Sequence, residues 1–362
     1  MLLEKLHCKY PASLDDGHVM MTFDNRNKEL KSQRQPNELV DSIRKLIRWL
    51  SFGVEPNLFV RYHPLRPLAH WYYARIVNRY VSRELDARFS MRKPESMKST
   101  RTVIDLALSN YQKEQTDTEA RAIDPLFKRI CMAQVKLFLF SGHDTTSSSI
   151  CYILYLLSKH PSISAKVREE IKQTFHSTPG TSSIAQKIAK NPYLLNQLPY
   201  ITAIIKESLR LFPVVSSTRC SPTPGSSTLI DAATNLVYPL SPFLIWINPH
   251  YIHHDPRLWV KPDEFLPERW LVGREDPLYP VTGAWRAFEH GARNCIGREL
   301  AMVEMKTVVC LVVGRFVVRD VYGEEDRTRG KGIKSVEGER AYQVQLSQQE
   351  GDLPCRIERI KE

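Results

Sequence analysis

The sequence predicts a mainly α fold with small β-sheets confined to its second half. Three observations carry that prediction. Apolar residues recur at helical spacing from Pro36 onward, the stretch from Asp124 to Lys159 has room for a helix of roughly 45 Å, and the strand-like runs are short and appear only late in the chain. Of the 362 residues, 42% are hydrophobic and 25% charged, which excludes a disordered chain and implies a large buried core. No Gly/Ser-rich linker or internal repeat divides the chain, so the expectation is an irregular segment over 1–35 followed by one continuous domain over 36–362.

Taken in order, the first 35 residues show no sustained period. Leu39, Val40, Ile43, Leu46, Ile47 and Leu50 then share one helical face. A longer helix is expected from Leu68 to Phe89, where Arg75, Arg79 and Arg83 repeat every four residues. Nine Lys or Arg and three acids lie between Arg66 and Arg101, which reads either as a surface for anionic lipid or a partner, or simply as a solvated face. Helical pattern returns over Ile104–Lys113 and dominates from Asp124 to Lys159; Pro161 breaks it before a helix ending near Phe175. Another apolar helix covers Pro199–Phe212 and stops at Pro213. Thr228–Ile230 and Leu236–Tyr238 flank a polar turn as a hairpin would, and Phe243–Ile247 reads as a strand. The last long helix is expected over Arg298–Val313, followed by strand-like Phe316–Val321, Ala341–Leu346 and Cys355–Ile360.

Lys and Arg exceed Asp and Glu by 51 to 40, a net charge of +11 that allows an acidic partner, an anionic membrane or nucleic acid without choosing among them. Seven widely spaced cysteines, an odd number with no Cys-x-x-Cys, argue against a disulfide framework and a zinc site. No apolar run reaches the roughly 18 residues needed to cross a bilayer, and Met1 leads into Glu4, Lys5 and His7 rather than the apolar core of a signal peptide.

One cysteine stands apart. The segment Phe288-Glu289-His290-Gly291-Ala292-Arg293-Asn294-Cys295-Ile296-Gly297 sets Cys295 in a Gly-flanked loop directly before a helix. There the helix dipole and Arg293 favour negative charge on sulfur, and such a sulfur can ligate a metal or attack an electrophile. Phe288, Gly291, Arg293, Cys295 and Gly297 match Phe-x-x-Gly-x-Arg-x-Cys-x-Gly, and on these residues the chain resembles the cytochrome P450 superfamily of haem-thiolate monooxygenases. The resemblance implies that Cys295 is the proximal ligand of a haem b (iron protoporphyrin IX), whose electron donation favours O–O cleavage. It further implies that Arg293 pairs with a haem propionate and that Phe288 packs against the ligand loop.

A second segment, Ser141-Gly142-His143-Asp144-Thr145-Thr146, interrupts an apolar helix with polar groups that need partners, water or a cavity. It resembles the family's oxygen-activating helix, implying that Asp144 and Thr145 organise water and deliver protons. Ser141 stands where the family usually has Ala or Gly, and His143 reads as structural. A third segment, Glu207-Ser208-Leu209-Arg210, lies in a helix apolar nearly all round, so an ion pair there is buried and must be fully hydrogen-bonded. With Pro267-Glu268-Arg269-Trp270, it resembles the family's Glu-x-x-Arg and Pro-Glu-Arg-aromatic segments, implying a structural triad of Glu207, Arg210 and Arg269. Arg219, six residues after Pro213, falls where the family often places a cation against a propionate. His253-His254-Asp255-Pro256 is similar to a family His-Arg-Asp-Pro stretch, with His254 replacing Arg; as a metal site the two histidines lack further ligands.

The resemblance runs from about Pro36 to the C-terminus. Family members are longer upstream, with an anchor, a large first sheet and further helices, so the expected architecture is an N-terminally truncated cytochrome P450 fold. Trp71-Tyr72-Tyr73-Ala74-Arg75 mimics the family's Trp-x-x-x-Arg, but it stands only about 70 residues before Asp144 and is read as a coincidence within the basic stretch. The implied activity is insertion of one oxygen atom from O2 into a small lipophilic substrate, with electrons from NADPH-cytochrome reductase. The resemblance is greatest to microsomal members of filamentous fungi that tailor secondary metabolites. It implies the cytosolic face of the endoplasmic reticulum membrane and no nucleic-acid partner. Two alternatives stay open: a catalytically silent remnant that acts at most as a binding protein, and a haem-thiolate isomerase or dehydratase, which the Asp144–Thr145 pair disfavours.

Overall fold

A computed structural model describes residues 18–21, 38–49, 62–90, 103–114, 123–176, 181–220, 228–241, 243–320, 343–344, 348–349 and 355–360. The chain falls into two compact units, one of residues 31–143 and one of residues 1–30 with 144–362.

The unit over 31–143 is helical. It holds α1 (Glu38–Trp49), α2 (Arg66–Ser90), α3 (Val103–Glu114) and the first half of α4 (Pro125–Lys159). Val77, Val81 and Leu85 of α2, a stripe at four-residue spacing, are buried with Leu108 of α3 and Cys131 of α4, as an amphipathic helix requires. Arg75, Arg79 and Arg83 occupy an exposed face of the same helix, with the Arg75 guanidinium 5.4 Å from the Trp71 ring centroid. Charge also ties α2 to its neighbours: Arg88 donates to Asp105 at 2.9 Å and Lys128 to Asp86 at 2.6 Å. Asp124 caps α4 by accepting the Phe127 N–H at 2.8 Å, with Pro125 at the first helical position where its missing N–H costs nothing.

The larger unit is built around the second half of α4, with α5 (Pro161–Phe175), α6 (Thr181–Lys190), α7 (Pro199–Leu211) and α9 (Arg298–Val313). Its core joins Ile150, Ile153 and Leu156 of α4 to Val167 and Ile171 of α5, Ile201 and Ile205 of α7, and Met305 and Val309 of α9. Each of α5 and α7 begins at a proline. The first N–H groups of α7 find a partner outside the helix: Glu170 accepts from Tyr200 at 2.7 Å and Ile201 at 2.8 Å.

Small sheets complete this unit. The strands β1 (His18–Met21), β9 (Cys355–Arg359) and β6 (Phe316–Asp320) pair antiparallel in that order, with Val19 and Val318 both opposite Ile357. The strand at 18–21 falls within the 1–35 segment that shows no sustained period in sequence. Four residues give too short a period to register in sequence, and their conformation is set by pairing with a strand more than 300 residues away. Elsewhere β2 (Ser217–Cys220) pairs with β5 (Leu244–Ile247), β3 (Thr228–Ile230) forms the expected hairpin with β4 (Val237–Pro239), and β7 (Gln343–Val344) pairs with β8 (Gln348–Gln349). A short α8 (Pro249–His253) follows β5 and is capped by the Asn248 side chain, which accepts the His250 N–H.

Candidate functional site

Residues 286–297 form a loop fastened by its own backbone. Glu289 N–H bonds the Arg286 carbonyl at 3.0 Å, and Asn294 N–H bonds that of Gly291 at 3.1 Å. Cys295 N–H reaches back to the Phe288 carbonyl at 2.8 Å. Gly291 has φ +81°, a conformation that costs an L side chain about 1–2 kcal/mol, which accounts for glycine at that motif position. Cys295 therefore sits at the end of a constrained loop, three residues before α9, with a free and exposed thiol. A Cβ on Gly297 would come within 3.7 Å of the sulfur, so the glycine keeps that side of Sγ open.

Behind the loop lies the ion cluster that the sequence predicts. Glu207, Arg210 and Arg269 are all fully buried. One oxygen of Glu207 accepts from Arg210 Nη2 at 2.8 Å, Arg269 Nε at 3.0 Å and Leu266 N–H at 3.1 Å; the other accepts from Arg210 Nε and Trp270 Nε1, both at 3.0 Å. Further guanidinium donors go to carbonyls: those of His253, Pro262 and Glu264 for Arg210, and those of Val260 and Lys261 for Arg269. Buried charge survives only when satisfied in this way.

Two features link this cluster to the cysteine loop, and sequence reasoning missed both. The rings of Trp259, Trp270, Trp285 and Phe288 follow one another at centroid distances of 5.9, 5.6 and 5.9 Å. Each indole N–H has a partner: Ile252 O for Trp259, Glu207 for Trp270 and Lys206 O for Trp285. Phe288 is partly buried and packs against the hydrophobic core. The second link is His253, wholly buried, whose Nδ1 bonds the Arg210 carbonyl at 2.9 Å while Nε2 accepts the Arg286 N–H at 2.8 Å. That pair of bonds fixes a neutral ring, and burial pushes its pKa down to about 3. The adjacent His254 bonds the His250 carbonyl through Nδ1 at 2.8 Å, and among the described residues no group of three or more His, Cys, Asp or Glu could hold a metal ion.

On α4, Ser141 and Gly142 are exposed, Thr145 is half-buried, and Thr146 and Ser149 are buried. Ser149 Oγ donates to the Thr145 carbonyl at 2.8 Å, the back-bonding that satisfies a hydroxyl within a helix. The side chains of His143 and Asp144 lie outside the described residues. Arg293 is exposed in the loop, in a single 3-10 turn spanning Gly291–Arg293. Arg219 is exposed on β2, with its guanidinium 3.9 Å from Glu289.

The sequence matches the family described as Cytochrome P450 over residues 19–346. The chain belongs to the cytochrome P450 family. It is 39% identical over 336 residues to the cytochrome P450 monooxygenase polC of Polytolypa hystricis, covering 91% of this chain and 59% of that protein. It is 33% identical to the cytochrome P450 monooxygenase acrF of Aspergillus aculeatus, covering 87% of this chain and 65% of that one. The chain thus spans less than two thirds of the length of these relatives. Among solved structures, a cytochrome P450 crystal structure (CYP102L1) superposes with a TM-score of 0.60 at 19% identity, over 90% of this chain and 65% of the other, so the mainly helical fold with small sheets is the P450 fold.

Haem is the cofactor of this family, and the residues present fit it. The one cysteine of the P450 signature offers a free, exposed sulfur, the soft donor that haem iron accepts, on a loop whose glycines leave it uncrowded. Ile296, next in the chain, and Leu300, in the first turn of α9, are exposed apolar side chains.

Proposed function

We propose that this P450 is a haem-thiolate monooxygenase that inserts one oxygen atom from O2 into a small lipophilic substrate. The observation that carries the reading is the Cys295 thiol, held free at the entry to α9 by a loop that is itself braced on the buried Glu207–Arg210–Arg269 cluster. Bound through that sulfur, haem b supplies the oxygen-activating chemistry. Cys295 would hold the haem iron through its sulfur; Gly291 and Gly297 shape the loop around it, Phe288 backs it, and Arg293 and Arg219 would be the cations available to the propionates. Thr145, with Asp144 beside it in α4, handles protons during oxygen activation, since a half-buried hydroxyl can both accept and donate a hydrogen bond.

The electron donor in this reading is NADPH-cytochrome reductase, an acidic flavoprotein suited to a chain of net charge +11. The substrate class is a secondary metabolite, supported by similarity to fungal monooxygenases. The place of action is the cytosolic face of the endoplasmic reticulum membrane; no helix among the described residues is long and apolar enough to cross it.

The test is a spectrum of the reduced protein under carbon monoxide after haem loading. A red-shifted, thiolate-type Soret band is expected, and Cys295→Ala should abolish it without lowering the melting temperature of the haem-free protein. A folded wild-type chain without that band overturns the proposal.

A further inference from the structure

Glu289 is not among the motif positions of the ligand loop, yet both its backbone and its carboxylate are held. Its φ of +59° is one of four left-handed non-glycine conformations among the described residues, an arrangement that persists only where surrounding contacts enforce it. Those contacts are polar. One carboxylate oxygen accepts the Ser217 hydroxyl at 2.8 Å; the other faces Arg286 Nη1 at 3.3 Å and Arg219 Nη2 at 3.9 Å. Ser217 and Arg219 are two residues apart in β2 and so share one face of the strand, which lets a single carboxylate engage both. Arg286 in turn is pinned through its backbone by His253. The Glu289 side chain is only 13% exposed, so its charge is weakly screened.

We propose that Glu289 is a positioning residue of the haem site: it fastens strand β2 to the cysteine loop, aims Arg219, and sets the charge balance that the haem experiences. This rests on the haem-thiolate reading above. One negative charge between two guanidiniums leaves a net single positive charge at that edge. Replacing it with an amide raises the local positive charge by one, which favours the reduced iron over the oxidised. A purely structural brace would not move a redox potential in a defined direction.

The experiment uses the haem-loaded full chain. Wild type is first checked for haem uptake with the thiolate-type spectrum; its absence overturns the family reading and this proposal with it. With that spectrum present, Glu289→Gln should keep it, shift the ferric/ferrous midpoint potential to more positive values, and weaken haem binding by about tenfold, the scale of one charge-assisted hydrogen bond. Glu289→Asp should restore most of the potential because it keeps the charge. A midpoint and haem affinity unchanged in Glu289→Gln refute this proposal alone. Should Glu289→Gln not fold, Ser217→Ala removes the strand anchor while sparing the charge: haem loss several-fold faster is expected, and an unaltered rate counts against the role.

Discussion

Arg210 and His253 bind each other twice. His253 Nδ1 donates to the Arg210 carbonyl at 2.9 Å, and Arg210 Nη1 donates to the His253 carbonyl at 2.8 Å. The ring's other nitrogen must stay unprotonated to accept the Arg286 N–H, so this reciprocal pair ties the ion cluster to the cysteine loop only while His253 is neutral.

A pH dependence follows. In the folded protein burial lowers the His253 pKa from its ordinary 6.5 to about 3, so between those values the unfolded chain binds the extra proton and the folded chain does not. Stability is therefore complete above about pH 7 and falls as pH drops toward 3, by at most about 1.4 kcal/mol per unit from this one group. His250 and His254 are lowered by burial as well and act in the same direction. Urea titrations from pH 7.5 to 4.5 should show this slope, and His253→Gln should make it shallower. A slope equal to that of wild type would show that His253 titrates normally.

The Glu207 carboxylate forms ion pairs with both buried guanidiniums, Arg210 and Arg269. Glu207→Gln keeps the shape but leaves both cations unneutralised at zero exposure. The expected loss is about 3–5 kcal/mol, the cost of breaking a buried pair from one side. Denaturant midpoints read it directly; a change under about 1 kcal/mol would mean that water reaches the cluster.

Much of this was legible in the sequence because the signals were local. The helical stripes of α1 to α5, α7 and α9 repeat often enough to be read without a partner, and the Cys295 loop spells its constraint in glycines. The buried fate of Glu207 and Arg210 followed from an ion pair in a helix with no polar face. What escaped was long-range. Strand β1 exists because β9 accepts it, and β2 because β5 does. His253 became a bridge only when α7 and the loop were brought to its two nitrogens, and Glu289 mattered only once Ser217 and Arg219 lay beside it.

The two loop glycines should fail for different reasons. Gly291 has open space around its missing Cβ but a φ of +81°, so Gly291→Ala should destabilise the haem-free protein by about 1–2 kcal/mol. Gly297 has an ordinary backbone, yet its Cβ would meet Cys295 Sγ at 3.7 Å. Gly297→Ala should leave the melt of the haem-free protein unchanged and reduce haem affinity instead. Thermal melting and haem titration of both variants separate the two effects; equal melts for the pair would contradict the assignment of Gly291 to backbone conformation.

Thr145 offers the most direct probe of the chemistry. Its half-buried position in α4 and the anchoring of its carbonyl by Ser149 mean that removing the hydroxyl leaves the backbone held, so Thr145→Ala should cost no more than about 1 kcal/mol of stability. The carbon monoxide spectrum should be unaltered, since no bond to the sulfur loop is touched. If the hydroxyl handles protons, its loss diverts electrons: NADPH consumption continues, hydrogen peroxide accumulates, and product per electron pair falls by about tenfold or more. Thr145→Ser, which keeps the hydroxyl, should recover most of the coupling. Simultaneous measurement of NADPH, peroxide and product decides the matter, because a merely structural threonine would lower all three together, whereas a proton-handling one changes their ratio.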